Sequence, residues 1–511
     1  MNNYNDKIIK EKKMNRSSGI LLPISSLPSN YGIGTLGKEA YKFVDFLCEA
    51  NQTYWQILPL GPVSFGDSPY SSFSSFAGNP YYIDLDKLVD EKLLKRSDLK
   101  NIKVKNKNSI DYLYLFETRY TILYKAYLNG YKKDLKKVNT FINENKWVKD
   151  FALYMSIKRY FKNKSWQEWP DNSIRNRETK AINKYKRLLS DKYNFHIYVQ
   201  YLFYKQFNQL KNYMNKKGIK LIGDIPIYVP LDSCDCWANQ NCFVLDKNKI
   251  PREVAGVPPD YFSSNGQLWG NPIYDWKYLK KDNYKWWIER LRFAGSLYDV
   301  VRIDHFRGLE SFWAVPYGEK TAKHGRWVKG PNMDFLSIVK KKLNKVEFIS
   351  EDLGYHTPAV SKMLKDFGFP GMKVLQFGFD SRNVSDQAPH AYSKNYICYT
   401  GTHDNSTIMG WKKSVKKKDL EYAKKYLGLN NSEGYNWGFI RAGMSSVAIL
   451  FVAQIQDYLG LDDRTRINIP GTLGNNWKWR MNKNALNKAL ANKISNYTHM
   501  YGRDNLNVHK K

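Results

Sequence analysis

Eight short runs rich in β-branched, aromatic and leucine residues recur along the chain, at 19–22, 54–58, 220–225, 298–303, 346–350, 372–377, 396–399 and 448–454. Strands of nearly unbroken apolar character are buried on both faces, and such strands are parallel and covered by helices. Segments of helical period lie between several of the runs. In GKEAYKFVDFLCEAN (37–51), Ala40, Phe43, Val44 and Leu47 fall on one stripe. Eight parallel strands alternating with helices predict a closed (β/α)8 barrel. The eighth run is ambiguous, because Met444 to Leu450 also reads as helix.

The spacing of the runs is uneven. About 160 residues separate the second from the third, where a crossover needs about a dozen. The excess predicts one insertion at about 61–215, a polar loop followed by a lysine-rich helical region. A second, at 230–276, reads as a lid over the substrate cleft. This gives a flexible basic extension at 1–17, a single elaborated barrel over 18–500 and a tail at 501–511. Only about 30 residues follow the NWKWR motif, so no C-terminal β-sandwich is expected.

Composition narrows the class. Over 511 residues the mean hydropathy is -0.60, and no apolar run approaches the roughly 18 residues of a membrane span. The N-terminus has no apolar core of a secretory signal, so a cytoplasmic protein is expected. The net charge of +33 is also the footprint of a polyanion binder. The lysines are spread along the chain, however, and a scattered basic surface is screened beyond about 10 Å. We read it as a solvated surface, with no nucleic-acid partner and no membrane expected; oligomeric state is not legible. The five cysteines are an odd number without a signal, which argues against disulfides. Cys234, Cys236 and Cys242 lack a zinc spacing and a nearby histidine, and no metal or cofactor is expected.

Three of the runs end at a carboxylate inside a polar, glycine-bearing turn: VVRIDHFRG (300–308), FISEDLG (348–354) and YTGTHDN (399–405). Alternation puts Arg302 and Asp304 on one side of a strand end. An arginine there keeps a carboxylate ionised, as a nucleophile requires; an ordinary ion pair at a barrel mouth leaves the same pattern. Glu351, beside another carboxylate, suits a general acid, although Ser350 and Asp352 also fit a helix cap. Asp404 suits a carboxylate that grips sugar hydroxyls, although GTHDN is also good turn chemistry. Three acids at three strand ends of one barrel face fit cleavage of a glycosidic bond.

Together with YGIGTLG, DSPYSSFSSFAGNPYYI, GDIPIYVPLDS, GVPPDYFSSNGQLWGNPIYDW, QDYLGL and PGTLGNNWKWRM, these motifs make the chain resemble the 4-α-glucanotransferases of the amylomaltase family, glycoside hydrolase family 77, in the α-amylase clan. The resemblance covers nearly the whole chain. It implies a retaining double displacement on α-1,4-glucan, with a glucan donor and a glucan or glucose acceptor. Asp304 would be the nucleophile, Glu351 the acid/base and Asp404 the transition-state stabiliser. It also implies that Asp224, Arg302, His305 and His403 line the sugar subsite beside the scissile bond and that Tyr70 stacks on a sugar. Asn476 and Trp477 would belong to a loop that closes over the glucan. An α-glucan hydrolase of the same clan is the alternative enzyme, and a polyanion-binding barrel the alternative of another class.

Whether water or a glucan accepts the glycosyl unit separates hydrolase from transferase. Water at about 55 M against acceptor at about 10 mM demands roughly 10³ to 10⁴-fold selectivity, about 4 to 5 kcal/mol. The segment GVPPDYFSSNGQLWGNP (256–272) is a candidate lid for excluding water. In it Tyr261, Phe262 and Trp269 are expected to stack on sugar rings, while Asp260 and Asn271 bind hydroxyls. Plain packing of these aromatics on the barrel rim is the alternative.

Overall fold

A computed structural model describes residues 14–64, 66–259, 263–354 and 357–504. Its strands are β1 (Ser17–Leu21), β2 (Tyr54–Gln56), β3 (Lys220–Ile225), β4 (Glu253–Val257), β5 (Gln267–Pro272), β6 (Val300–Ile303), β7 (Ser311–Pro316), β8 (Arg326–Lys329), β9 (Glu347–Ser350), β10 (Gly371–Val374), β11 (Tyr396–Tyr399) and β12 (Leu450–Gln454). Eight of them form one parallel sheet in the order β10-β11-β12-β1-β2-β3-β6-β9. Its two ends meet where the Ser350 N–H donates to the Pro370 carbonyl at 2.9 Å and the Met372 N–H to the Asp352 carboxylate at 2.6 Å. The sheet is therefore a (β/α)8 barrel, built from the eight runs that the sequence marks.

The two-residue period of the strands sorts their side chains. Leu21, Tyr54, Ile222, Val300, Ile349, Met372, Val374, Ile397, Tyr399, Leu450 and Val452 fill the interior as one cluster. Their neighbours Ile20, Trp55, Leu221, Val301, Phe348, Cys398 and Phe451 pack outward in the larger cluster with the helices. The helix Lys38–Glu49 buries the stripe expected of it. Gly19 is obligatory at its place, because a Cβ there would lie 2.7 Å from the Tyr54 carbonyl oxygen.

Four details differ from the sequence reading. The run 372–377 overshoots: β10 stops at Val374 and Leu375–Gly378 form a 3-10 turn, whose Leu375 is still buried and so still apolar. The eighth run is a strand, β12, and the segment Met444 to Leu450 that also reads as helix is mostly the turn between the helix Tyr435–Ser445 and that strand. A four-stranded antiparallel sheet, in the order β5-β4-β7-β8, joins part of the 230–276 segment to residues 311–329, where no strands are anticipated. Finally, the terminal segments are less separate than a 1–17 extension and a 501–511 tail. Arg16 donates to the carbonyls of Met444, Ser446 and Tyr501. Arg503 is fully buried and donates to those of Ser17, Met444, Ser446 and Ala448.

Long helices at Tyr112–Glu144, Trp147–Tyr160 and Ser190–Lys216 occupy the 86–215 region. The last packs a run of tyrosines and phenylalanines against the others. No helix among the described residues is long and apolar enough to cross a membrane.

Candidate active site

The register of the barrel brings the acidic motifs together. Asp224 on β3 lies opposite Arg302 on β6, and Arg302 opposite Ile349 on β9. The backbone ladder runs on past the strands: Asp304 N–H donates to Ile225 O and Glu351 N–H to Ile303 O, both at 3.0 Å. Asp304 and Glu351 therefore sit at adjacent strand ends.

Arg302 is the buried hub. Its Nη1 donates to Asp304 Oδ1 at 2.9 Å and to Asp224 Oδ2, and its Nε faces Met372 Sδ. The second acceptor, Asp224, is inaccessible, and its Oδ1 is buried without a donor among the described residues. Tyr70 donates its hydroxyl to Asp224 Oδ2 at 2.7 Å, and its ring stacks on His403 at 5.0 Å. Trp477 packs against both rings.

Glu351 is held differently. Its two oxygens accept the backbone N–H groups of His305, at 2.7 Å, and of Leu353, at 2.8 Å. His305 adopts a left-handed conformation, φ 49°, which turns the chain after Asp304 so that this N–H meets the carboxyl. The cap reading of SEDLG does not hold among the described residues, where the next helix begins at Pro358 and is capped by Thr357.

Asp404 is the most open of the three acids, with 44% of its side chain exposed. Its Oδ1 accepts from Asn468 Nδ2 at 2.7 Å and lies 3.3 Å from His403 Nε2. Arg466 donates to the Asp404 carbonyl and, at 3.1 Å, to Ser406 Oγ. The Asn468 N–H donates to His403 O at 3.1 Å. Asn468 and Arg466, in DRTRINIPG, are missing from the sequence reading because a lone Asn or Arg in a polar turn carries no spacing signal.

Trp269 lies on β5, 37% exposed, edge-on to His305 at 4.8 Å. Asn271 is on the same strand, so this part of the expected lid is strand rather than loop, with Gly266 and Gly270 at positive φ. Asp260, Tyr261 and Phe262 lie outside the described residues. Asn476 is in place beside Trp477, but its amide serves its own loop, accepting from Ile469 N–H and donating to Thr472 O. It shapes the loop instead of offering those atoms to a sugar.

Electrostatics divide the two central acids. Burial raises the Asp304 carboxyl; Arg302 pulls it down, while Asp224, Glu351 and Asp404 push it up. Burial raises Glu351 too, against Arg302 and its two N–H donors. Neighbouring carboxyls of this kind titrate together. Asp304 has the direct guanidinium bond and 28% side-chain exposure, whereas Glu351 is buried. The guanidinium bond favours the charged form of Asp304, and burial favours the protonated form of Glu351 against its two N–H donors. Burial also lowers His305, to about 3, and His403, so both are neutral hydrogen-bonding groups at neutral pH. Among the described residues no group of three His, Cys, Asp or Glu side chains is placed to hold a metal ion.

The chain is similar over nearly its whole length to known proteins. The sequence profile of the 4-alpha-glucanotransferases matches residues 22–486. A 4-alpha-glucanotransferase of Clostridium butyricum is 49% identical over 484 residues, 94% of this chain and 99% of the relative. One from Streptococcus pneumoniae is 46% identical over 497 residues, 96% of this chain and 98% of the relative. The solved structure of amylomaltase from Streptococcus agalactiae in complex with acarbose superposes with a TM-score of 0.94 at 42% identity, covering 96% of this chain and 100% of that one.

Proposed function

The chain belongs to the 4-alpha-glucanotransferase family, glycoside hydrolase family 77, and from that premise we propose how its own residues carry out transfer between α-1,4-glucans. Asp304 attacks the anomeric carbon of the donor while Glu351 gives its proton to the departing O4, releasing the shortened glucan and leaving a glycosyl ester on Asp304. Glu351, now a base, takes the proton of an acceptor 4-OH, whose oxygen displaces Asp304 and restores the α-linkage. The acceptor is a glucan or free glucose.

The observation that carries this reading is the placement of the two acids at neighbouring strand ends of the barrel. Asp304 is bonded to a buried guanidinium, while Glu351 is buried on two backbone N–H groups at the next strand end. Asp404, kept in place by Asn468 and Arg466, binds sugar hydroxyls and faces the positive charge that develops at the anomeric carbon. Neutral His305 and His403 donate to hydroxyls, and Tyr70 and Trp269 offer aromatic surface. Trp269 on the β4–β5 hairpin and the 469–477 loop flank the cleft, and their closure on a bound acceptor disfavours water.

Incubation of the purified protein with maltotriose, followed by product sizing and a reducing-end count, tests this. Longer and shorter oligomers plus glucose at constant reducing ends are expected. A rising reducing-end count without longer products would make the protein a hydrolase.

A further inference from the structure

A second polar cleft lies away from the three acids. The short helix Cys234–Ala238 and the 3-10 turn Gln240–Cys242 face Asn176 and Arg177 on one side and the start of the helix Lys285–Leu297 on the other. Between them is a cavity of about 380 Å³, within the range of about 300–1,000 Å³ typical of small-molecule sites.

The walls specify a ligand chemistry. Asn176 and Asn241 contribute side-chain amides and Tyr278 and Trp286 aromatic surface, while the amides of Asn239 and Gln240 donate to the carbonyls of Asp235 and Arg175 and leave their oxygens to the wall. Arg177 and Lys285 are offset by Asp282 and Glu289, so the cleft favours neither an anion nor a cation. Two donors on its walls are buried without an acceptor among the described residues: the indole N–H of Trp286, a residue only 5% exposed, and Arg177 Nη1. Arg177 is itself rigid, stacked on Trp237 at 4.3 Å and bonded to Asp150 at 2.7 Å. Unmatched buried donors call for acceptor oxygens. The amides of Asn176 and Asn241, the two unmatched donors, an aromatic wall and balanced charge fit a neutral polyhydroxylated ligand.

A series of packed rings runs between this cleft and the active site. Trp286 meets Tyr274 at 5.8 Å, Tyr274 meets Tyr228 at 5.8 Å, Tyr228 meets Trp269 at 6.2 Å, and Trp269 meets His305 at 4.8 Å. We propose that this cleft is a second, non-catalytic α-glucan site, which holds a distal segment of a long chain while another segment occupies the catalytic cleft. The proposal rests on the glucan substrate assigned above. Occupation of both sites raises the local concentration of long glucans at the acids without any new contact there, and short oligomers gain nothing.

Two substitutions on the exposed rim, Tyr278→Ala with Asn241→Ala, test it in the full-length protein. In an Asp304→Asn background, titration with maltoheptaose is expected to show two binding events, one of which the rim substitutions abolish. Hydrogen exchange is expected to show maltoheptaose protecting residues 236–243 only when the rim is intact. In the active protein, the rim variant keeps its kcat/KM on maltotriose within about twofold, while its KM for soluble starch rises about fivefold or more. A single binding event insensitive to the rim variant overturns the proposal, as does binding of inorganic phosphate there without maltoheptaose. Absence of maltotriose disproportionation by the unaltered protein would instead defeat the assignment of the catalytic site.

Discussion

Arg302 Nη1 lies 2.9 Å from Asp304 Oδ1, so a guanidinium rising from inside the barrel fixes the acid two residues further along the same strand end. The same nitrogen holds Asp224, whose side chain has no solvent exposure, so catalytic geometry and barrel stability share one cation.

Arg302→Lys keeps the charge but not the planar fork. It is expected to lower kcat by about 10²-fold or more while leaving the urea midpoint near that of the parent. Arg302→Met leaves the Asp224 charge buried and unpaired, which costs about 3–5 kcal/mol, and should shift the midpoint strongly. Equal activity of Arg302→Lys and the parent would show that charge alone suffices.

Asn468 reaches Asp404 Oδ1 at 2.7 Å and touches neither of the other acids. A hydrogen bond to a charged group contributes about 1.5–3 kcal/mol, so Asn468→Ala is expected to reduce kcat roughly 10- to 100-fold with KM for maltotriose little changed. A change confined to KM would place Asn468 on the substrate instead of behind Asp404.

Asp457 is fully buried between Thr400 and the Ile408 N–H, and burial pushes its carboxyl up to about 7 from 3.8. The folded protein therefore binds this proton more tightly than the unfolded chain. The resulting stabilisation is complete below about pH 4 and is lost as pH rises through about 7. Asp457→Asn should remove that contribution, so that between pH 4 and 7 the Tm of the parent falls relative to the variant. Parallel Tm profiles would mean that Asp457 is ionised in the fold.

Arg503 ties the start of β1 to the turn before β12 through buried carbonyls. Arg503→Met removes several buried hydrogen bonds, each contributing about 0.5–1.5 kcal/mol, while Arg16 still donates to the Met444 and Ser446 carbonyls. A loss of about 3 kcal/mol or more in urea unfolding is expected, with kcat on maltotriose retained in the fraction that remains folded.

The barrel was legible because both faces of its strands are buried, which leaves apolar runs such as VVRI and EFIS that only a covered parallel strand needs. The three acids were legible because each stands where such a run breaks into a turn. Less was visible where pattern and environment part company. β8, RWVK, is mostly exposed and reads as polar surface, and Leu375 is buried in a turn yet reads as strand. Asn468 and Arg466 meet Asp404 only through tertiary folding of a polar loop. Asn476, expected to face the glucan, is engaged by the backbone of its own loop, a competition that residue type cannot reveal.

The central claim is that Asp304 becomes glycosylated while Glu351 manages the proton. Its most direct test is Glu351→Gln incubated with α-maltosyl fluoride, a donor whose leaving group needs no protonation, followed by peptide mass analysis. Without its base, the second displacement is slow, and a maltosyl adduct is expected to accumulate on the peptide containing Asp304 at residues 300–308. An adduct on any other carboxylate, or turnover of the fluoride at the parent rate with no adduct, would contradict the account.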